Sequence, residues 1–310
     1  MDIERKKVWI DCDPGTDDAA ALLCAHALPE LEILGISTQS GNVEPEKTFR
    51  NALRLNRLLG ADYPVFAGAD RPWVREPGYG YRFHGENGLG GVELPLPEHP
   101  VPPGEKAWEA IRRAAAEHPG ELELICTGPL TNCATALTLF PELRTLLRRI
   151  ILMGGAAVGG NRTPAAEFNI WSDPEAAKAV FTAGVPLVMC GLDVTNRSYL
   201  TAEELEALGR VGNAAGCFLS RCLRTPLEAN GVGRVCLHDV VAVLWAARPA
   251  LFSGRMAWVG VETRGTITNG KTVTDLWSDR KGPAQNAFVL LDVDRPAFVR
   301  TVTELVARCP

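Results

Sequence analysis

Asp11-Cys12-Asp13-Pro14-Gly15-Thr16-Asp17-Asp18 crowds four carboxylates into one short segment, and His238-Asp239 adds another far downstream. Like charges so close in sequence repel, and a hard cation shared among them is the cheapest way to keep them ionised. The two clusters read as one metal site. An N-cap with solvated acids would account for Asp17 or Asp18 alone, but not for four acids interleaved with Pro and Gly. The apolar run Val8-Trp9-Ile10 precedes this segment and Ala19-Ala20-Ala21-Leu22-Leu23 follows it, so the acids fall in a strand-to-helix turn. Open α/β sheets place their chemistry in such turns.

The elements that must position these groups alternate. Strand-like runs are predicted at 7–11, 32–38, 122–127, 149–153, 187–191 and 258–262. Helical runs fall at 19–27, 45–59, 107–117, 132–139, 174–183, 202–208 and 238–247. That alternation predicts an α/β fold, a mostly parallel central sheet with helices on both faces, whose ligand crevice lies beyond the carboxyl ends of the strands. Polar motifs fall at those ends: Gly41-Asn42, Thr127-Gly128-Pro129-Leu130-Thr131-Asn132, and, after Met153 and two glycines, Glu167-Phe168-Asn169. Thr131-Asn132 reads equally as a helix cap or as part of a site. A pocket floored by carboxylates and walled by Asn42, Glu167 and Asn169 suits a polyhydroxylated ligand such as a ribose, because each hydroxyl both donates and accepts.

Composition describes an ordinary globular protein with enough chain to bury a large core. The chain has 310 residues, 46% hydrophobic and 22% charged, with a net charge of -5 and no basic stripe, which argues against nucleic acid as a partner. No Pro/Ser-rich linker or repeat divides it, so one domain over 1–310 is expected. No apolar stretch reaches spanning length and the N-terminus lacks an apolar leader core, so no membrane partner and a cytoplasmic location are expected. The nine cysteines are odd in number and form no Cys-x-x-Cys pair. Several lie in apolar runs, so they are read as reduced and structural.

These motifs, taken in order with Met153-Gly154-Gly155, Asp173-Pro174-Glu175-Ala176-Ala177 and Gly270-Lys271-Thr272-Val273-Thr274-Asp275, resemble the inosine-uridine-preferring nucleoside hydrolases. The likeness runs from residue 7 to at least Asp275. It implies a Rossmann-like nucleoside hydrolase fold, a bound Ca2+ and hydrolysis of the N-glycosidic bond of ribonucleosides, in nucleoside salvage. By resemblance Asp13, Asp18 and Asp239 ligate the ion by carboxylate and Thr127 by its carbonyl, and a water on the ion passes its proton to Asp13 as general base. Asp17 and Asn169 would hold the 2′ hydroxyl, Asp239 the 3′, and Asn161 with Glu167 the 5′. Asn42 and Met153 would complete the ribose pocket. Relatives form homodimers or homotetramers, so a homo-oligomer is expected.

Glycoside cleavage builds positive charge on the sugar, which a ring of carboxylates stabilises. The departing base leaves more readily once protonated, and a histidine can supply that proton. His238 matches the family's leaving-group histidine, and His84 a second histidine near the base. The segment 77–91, with six glycines, would suit a loop closing over substrate. Between 213 and 236 no aromatic platform for the base is evident, so stacking would fall to Tyr79, Tyr81, Phe83 or Trp171. The two histidines hint at a broad or pyrimidine preference. Two other classes stay open: a metal-dependent phosphohydrolase, suggested by Asp11-Cys12-Asp13 but broken by Pro14-Gly15, and a non-catalytic nucleoside or ribose binder.

Overall fold

Alternation along the first strand decides the layering. In β1 (Lys6–Cys12), Val8, Ile10 and Cys12 enter one hydrophobic core and Trp9 enters the other. The first core is completed by the helices Thr16–Ala27, His238–Ala247 and Arg295–Val306, the second by Ala107–Glu117, Thr131–Leu139 and Pro174–Phe181. Helices thus cover both faces of the sheet. The structure is a computed structural model, and it describes residues 5–97, 104–277 and 282–310.

The remaining strands are β2 (Leu31–Thr38), β3 (Val65–Ala67), β4 (Glu123–Cys126), β5 (Arg149–Met153), β6 (Leu187–Cys190), β7 (Tyr199–Thr201), β8 (Arg234–Cys236), β9 (Phe252–Val261), β10 (Thr272–Asp275) and β11 (Ala287–Val293). Nine of them form one sheet in the order β10-β9-β11-β6-β5-β4-β1-β2-β3, while β7 and β8 pair separately. From β3 across to β11 every neighbouring pair is parallel, and only β9 runs against its neighbours. The strand order reverses between β1 and β4, which is the switch point where such sheets open a crevice. Register brings the strand ends level there: Asp11 pairs with Ser37 and with Cys126, Cys126 with Leu152, and Met153 with Cys190.

The helices at 45–59 and 107–117 and the strand at 149–153 lie where the sequence places them. The first helix differs in a way that matters. It begins at Thr16 rather than 19, so Asp17 and Asp18 occupy its first turn instead of the loop before it. Carboxylates are favoured there by the helix dipole. The strand expected at 258–262 extends back to Phe252 and is antiparallel. Sequence reading passed over β11 and the helix Arg295–Val306, although Ala287-Phe288-Val289-Leu290-Leu291 is a plain apolar run and Asp294 caps that helix by accepting from the Ala297 N–H. Among the described residues no helix is long and apolar enough to cross a membrane.

Candidate metal and ribose site

Two glycines admit Asp13 to the floor of the crevice. A Cβ on Gly41 would lie 1.9 Å from Asp13 Oδ2, and one on Gly128 2.6 Å from Oδ1, so the loops after β2 and β4 close on this carboxylate only because they carry no side chain there. The Asn42 N–H donates to Oδ2 at 2.7 Å, whereas Oδ1 is buried without a hydrogen-bond partner. Asn42 also donates its amide to the Asp13 carbonyl at 3.1 Å and to Asp18 Oδ2 at 3.0 Å. Asp18 further accepts from the Gly15 N–H at 3.0 Å and from the Thr127 hydroxyl at 2.8 Å.

Carboxylate oxygens of Asp17, Asp18 and Asp239 come within 4.8 Å of one another. Burial, followed by the charges of neighbouring acids, holds Asp13 and Asp239 well above the ordinary carboxylate range and pushes Asp17 up to about 7; burial raises Asp18 as well. Among the described residues no Lys or Arg pairs with any of the four. Convergent carboxylates, one orphaned buried oxygen and the Thr127 carbonyl make an all-oxygen donor set that fits a hard divalent cation. The Thr127 carbonyl accepts the Asn169 amide at 2.7 Å and keeps a second lone pair.

Asp11, counted with the others in the sequence, is held apart from them because it still lies inside β1, whereas Asp13 follows the strand's end. It faces the core that contains Trp9 and accepts from Ser37 at 2.5 Å, Asn132 at 2.8 Å and Gln39 at 3.1 Å. Thr131-Asn132 is accordingly structural: Asn132 holds Asp11, and Thr131 donates to Asp173 at 2.8 Å.

Above this floor lies a cavity of about 450 Å3. Asp17, Asn42, His84, Thr127, Met153, Asn161, Glu167, Asn169, His238 and Asp239 all line it, while Asp13 and Asp18 sit beneath. The Asn169 amide also donates to the Met153 carbonyl at 3.1 Å. Glu167 caps the helix Phe168–Ser172: Oε1 accepts the Asn169 N–H at 2.9 Å, and Oε2 accepts those of Gly155 at 2.9 Å and Ile170 at 3.1 Å. Asn161 accepts the Phe168 N–H at 2.9 Å through Oδ1, which leaves its NH2 free to donate.

Both histidines present Nε2 as their donor. The Thr16 N–H, which can only donate, lies 3.1 Å from His84 Nδ1, so His84 is neutral with its proton on Nε2. Burial and then the charge of His238 push its pKa down to about 3. Asp17 Oδ1 is 3.9 Å from the same nitrogen, too far for a hydrogen bond. His238 Nδ1 lies 2.8 Å from Thr195 Oγ1, and burial pushes its pKa down to about 4. A Thr195 hydroxyl donating to Nδ1 leaves His238 with Nε2–H.

Tyr79 and Phe83 line the cavity as the sequence suggested; Tyr81 instead donates to Glu44 at 2.5 Å, and Trp171 lies outside, between Arg75 and Arg162. From the region 213–236 come Pro226, Asn230, Val235 and Cys236, while Phe218 is in the core. Sequence reading missed Arg162 and Phe168, although both adjoin residues it had selected, and Asn196, which follows a short helix it had not foreseen. The segment 77–91 is tied in place: the Gly80 N–H donates to the Asn42 carbonyl at 2.8 Å, and Leu89 is buried. All nine cysteines are free thiols; Cys222 is buried and Cys217 exposed.

Residues 8–300 match the family model described as inosine-uridine preferring nucleoside hydrolase. The pyrimidine-specific ribonucleoside hydrolase RihA of Salmonella enteritidis is 43% identical over 303 residues, covering 96% of this chain and 97% of its own; that of Citrobacter koseri is 42% identical over 306 residues, 97% of each. Among solved structures, the purine-preferring ribonucleoside hydrolase from Gardnerella vaginalis superposes with a TM-score of 0.91 at 32% identity, over 97% of this chain and 98% of that one. The plant nucleoside hydrolase PpNRh1 gives 0.91 at 33% identity, over 97% and 99%.

Proposed function

The chain belongs to the inosine-uridine-preferring nucleoside hydrolase family and is an enzyme that hydrolyses the N-glycosidic bond of ribonucleosides, and from that premise we propose calcium as its metal, Asp13 as its general base and pyrimidine ribosides as its preferred substrates. The observation that carries the reading is Asp13 Oδ1, buried and unpartnered at the strand switch point while Asn42 fixes the other oxygen. A fixed carboxylate with one free lone-pair face is what a base catalyst needs. The metal-dependent phosphohydrolase and the non-catalytic binder, open on sequence alone, give way to family membership.

Asp13, Asp18, Asp239 and the Thr127 carbonyl would hold the ion, with Asp17 reaching it from the first helical turn. A divalent cation there supplies the Lewis acidity that makes a water nucleophilic near neutral pH. Asp13 would serve as the base that takes a proton from the attacking water. Asp17 and Asn169 receive the 2′ hydroxyl, Asp239 the 3′, and Asn161 with Glu167 the 5′, while Asn42 and Met153 close the ribose pocket. The same carboxylates stabilise positive charge as it develops on the sugar. His238 donates from Nε2 to the departing base, with His84 beside it.

Identity to two pyrimidine-specific relatives supports the base preference. The single sheet that joins β1 to β11 supports one domain over 1–310. A homodimer or homotetramer in the cytoplasm, serving nucleoside salvage, is proposed by family likeness. Base release from uridine, cytidine, inosine, adenosine and guanosine, before and after calcium removal, tests the reading. Calcium-restored cleavage led by uridine and cytidine is expected; cleavage led by inosine or guanosine would reverse the base assignment, and turnover indifferent to chelation would remove the metal.

A further inference from the structure

Gly270-Lys271-Thr272, where the edge strand β10 begins, lies outside the cavity lining, yet its side chains hold the loop that leaves β5 for the ribose pocket. Lys271 Nζ donates to the carbonyls of Ala156, Ala157 and Gly159 at 2.9, 3.1 and 3.3 Å. An ammonium has three N–H groups and no acceptor, so three carbonyls satisfy it completely. The Thr272 hydroxyl accepts the Ala156 N–H and donates to the Ala156 carbonyl, both at 2.8 Å. The approach is close: a Cβ on Gly155 would lie 2.7 Å from Thr272 Cγ2.

A carboxylate grips the same loop by its N–H groups. Asp193, in the short helix Leu192–Thr195 after β6, accepts from Ala157 at 2.7 Å and from Val158 at 3.2 Å. Cation on carbonyls and anion on N–H groups fix the backbone from 156 to 159. The chain then turns sharply. Gly159 has a φ of 76°, and a Cβ on Gly160 would lie 2.4 Å from the Ala166 nitrogen. Beyond it the N–H groups of Asn161, Arg162 and Thr163 converge on the Ala166 carbonyl at 3.2, 3.1 and 3.2 Å. Asn161 therefore emerges between two anchors, Lys271 at Gly159 and the Ala166 carbonyl.

We infer that Lys271, opposed by Asp193, is a positioning residue that sets this enzyme's selectivity for a 5′ hydroxyl. The inference rests on the reading of Asn161 with Glu167 as the 5′ end of the ribose pocket. Glu167 is fixed by its own helix, since its oxygens cap Asn169 and Ile170. Asn161 has no helix beneath it. Its amide reaches the cavity from a loop whose shape depends on the ammonium, and a hydrogen bond to a substrate hydroxyl weakens steeply once distance and angle are lost. Without Lys271 three carbonyls lose their donor, the loop relaxes and the 5′ hydroxyl loses its partner. The cation site and the base wall, built on other elements, keep theirs.

The test compares uridine with 5′-deoxyuridine on calcium-loaded unaltered protein, Lys271→Met, Asn161→Ala and the double variant, with Tm and calcium content recorded. Unaltered protein should favour uridine in kcat/KM by about tenfold or more, as a site built to bond a hydroxyl does. Lys271→Met should cut that preference to about a third or less, with calcium retained and 5′-deoxyuridine cleaved nearly as before. Added to Asn161→Ala it should change the preference no further, because both act on one contact. Lys271→Arg should recover part of the preference. Should Lys271→Met fail to fold, Asp193→Asn reads the same loop from its other side and should also lower the preference. A preference left intact in the folded variant, or an equal loss on both substrates, would reduce Lys271 to a support of the fold and overturn the proposal. An undiminished preference in Asn161→Ala would instead remove Asn161 from the 5′ end and take the inference with it.

Discussion

The floor of the crevice and its far wall are built on opposite principles. The floor comes from strand ends and one helix start, where Asp13, Asp18 and Asp239 are almost wholly buried and Asp13 is gripped between two glycine backbones. The wall comes from the segment around Tyr79 to His84, the stretch from Pro226 to Cys236 and Asn196, and many of its side chains are partly or fully exposed. A floor of this kind can hold a cation and a ribose in one geometry only. A wall of short peripheral elements with partly exposed side chains can change its ligand without disturbing the main sheet. The difference teaches that the chemistry of this enzyme is held by the fold, and its choice of base by the wall.

Breaking the floor should cost most. Asp13→Asn should still bind nucleoside but lose roughly a thousandfold or more in kcat, as expected for removal of a general base aligned by its surroundings. Retained turnover would remove Asp13 from that role. Asp239→Ala should lose the metal as well as turnover, measurable as calcium content after dialysis; full calcium with full activity would refute its place as a ligand. In the wall, His238→Ala should slow uridine by about a hundredfold. A p-nitrophenyl riboside, whose leaving group needs no proton, should be slowed far less. Equal losses on the two would end the general-acid assignment.

Stability against pH sharpens the same contrast, because floor and wall have opposite signs. On the floor, Asp17 lies near 7 in the folded protein against an ordinary 3.8, chiefly from burial. Between those values the folded state keeps protons that the unfolded chain has released, so cation-free protein should lose stability as pH rises from about 4 to 7. His84 and His238 are pushed down from 6.5 to about 3 and about 4, so their contribution is lost as pH falls below 6.5. Added calcium should therefore raise Tm more at pH 7.5 than at pH 5. An equal rise at both would show that the acids are not the calcium site. The smallest effect is expected at the rim: Phe83→Ala should raise KM for uridine by a few-fold, about one lost aromatic contact, with kcat nearly unchanged. A fall in kcat alone would place Phe83 in the chemistry.

Much of this was legible because the decisive signals were local. Asp13, Asp17 and Asp18 are neighbours in the chain, the apolar runs around them report a strand and a helix, and the polar motifs after β2, β4 and β5 follow their strands directly. Glu167 and Asn169 are legible in the same way, whereas Asn161 is indicated only by the family resemblance. Less was legible where the reason lies across the sheet. Asp11 shares its motif with Asp13, yet pairing with β2 and β4 brings it against Ser37, Gln39 and Asn132. Tyr81 and Trp171 looked as suitable for stacking as Tyr79 and Phe83, and only the packing of their loops separates the four.

By itself, then, the sequence determined the chemistry: which carboxylates stand close along the chain, the alternation that buries one face of β1 against each helical layer, and the membership that makes this a ribonucleoside hydrolase. Tertiary structure decided which of those groups meet. Asp239 lies more than two hundred residues from Asp18, and the helix His238–Ala247 brings their oxygens together by packing against the helix Thr16–Ala27. Only in the folded chain do Gly41 and Gly128 close on Asp13 and does Arg162 find Trp171. The physical reason is that carboxylate repulsion and burial are local costs that a motif can announce. The contacts that offset them are made between strands whose neighbours in the sheet are distant in the chain.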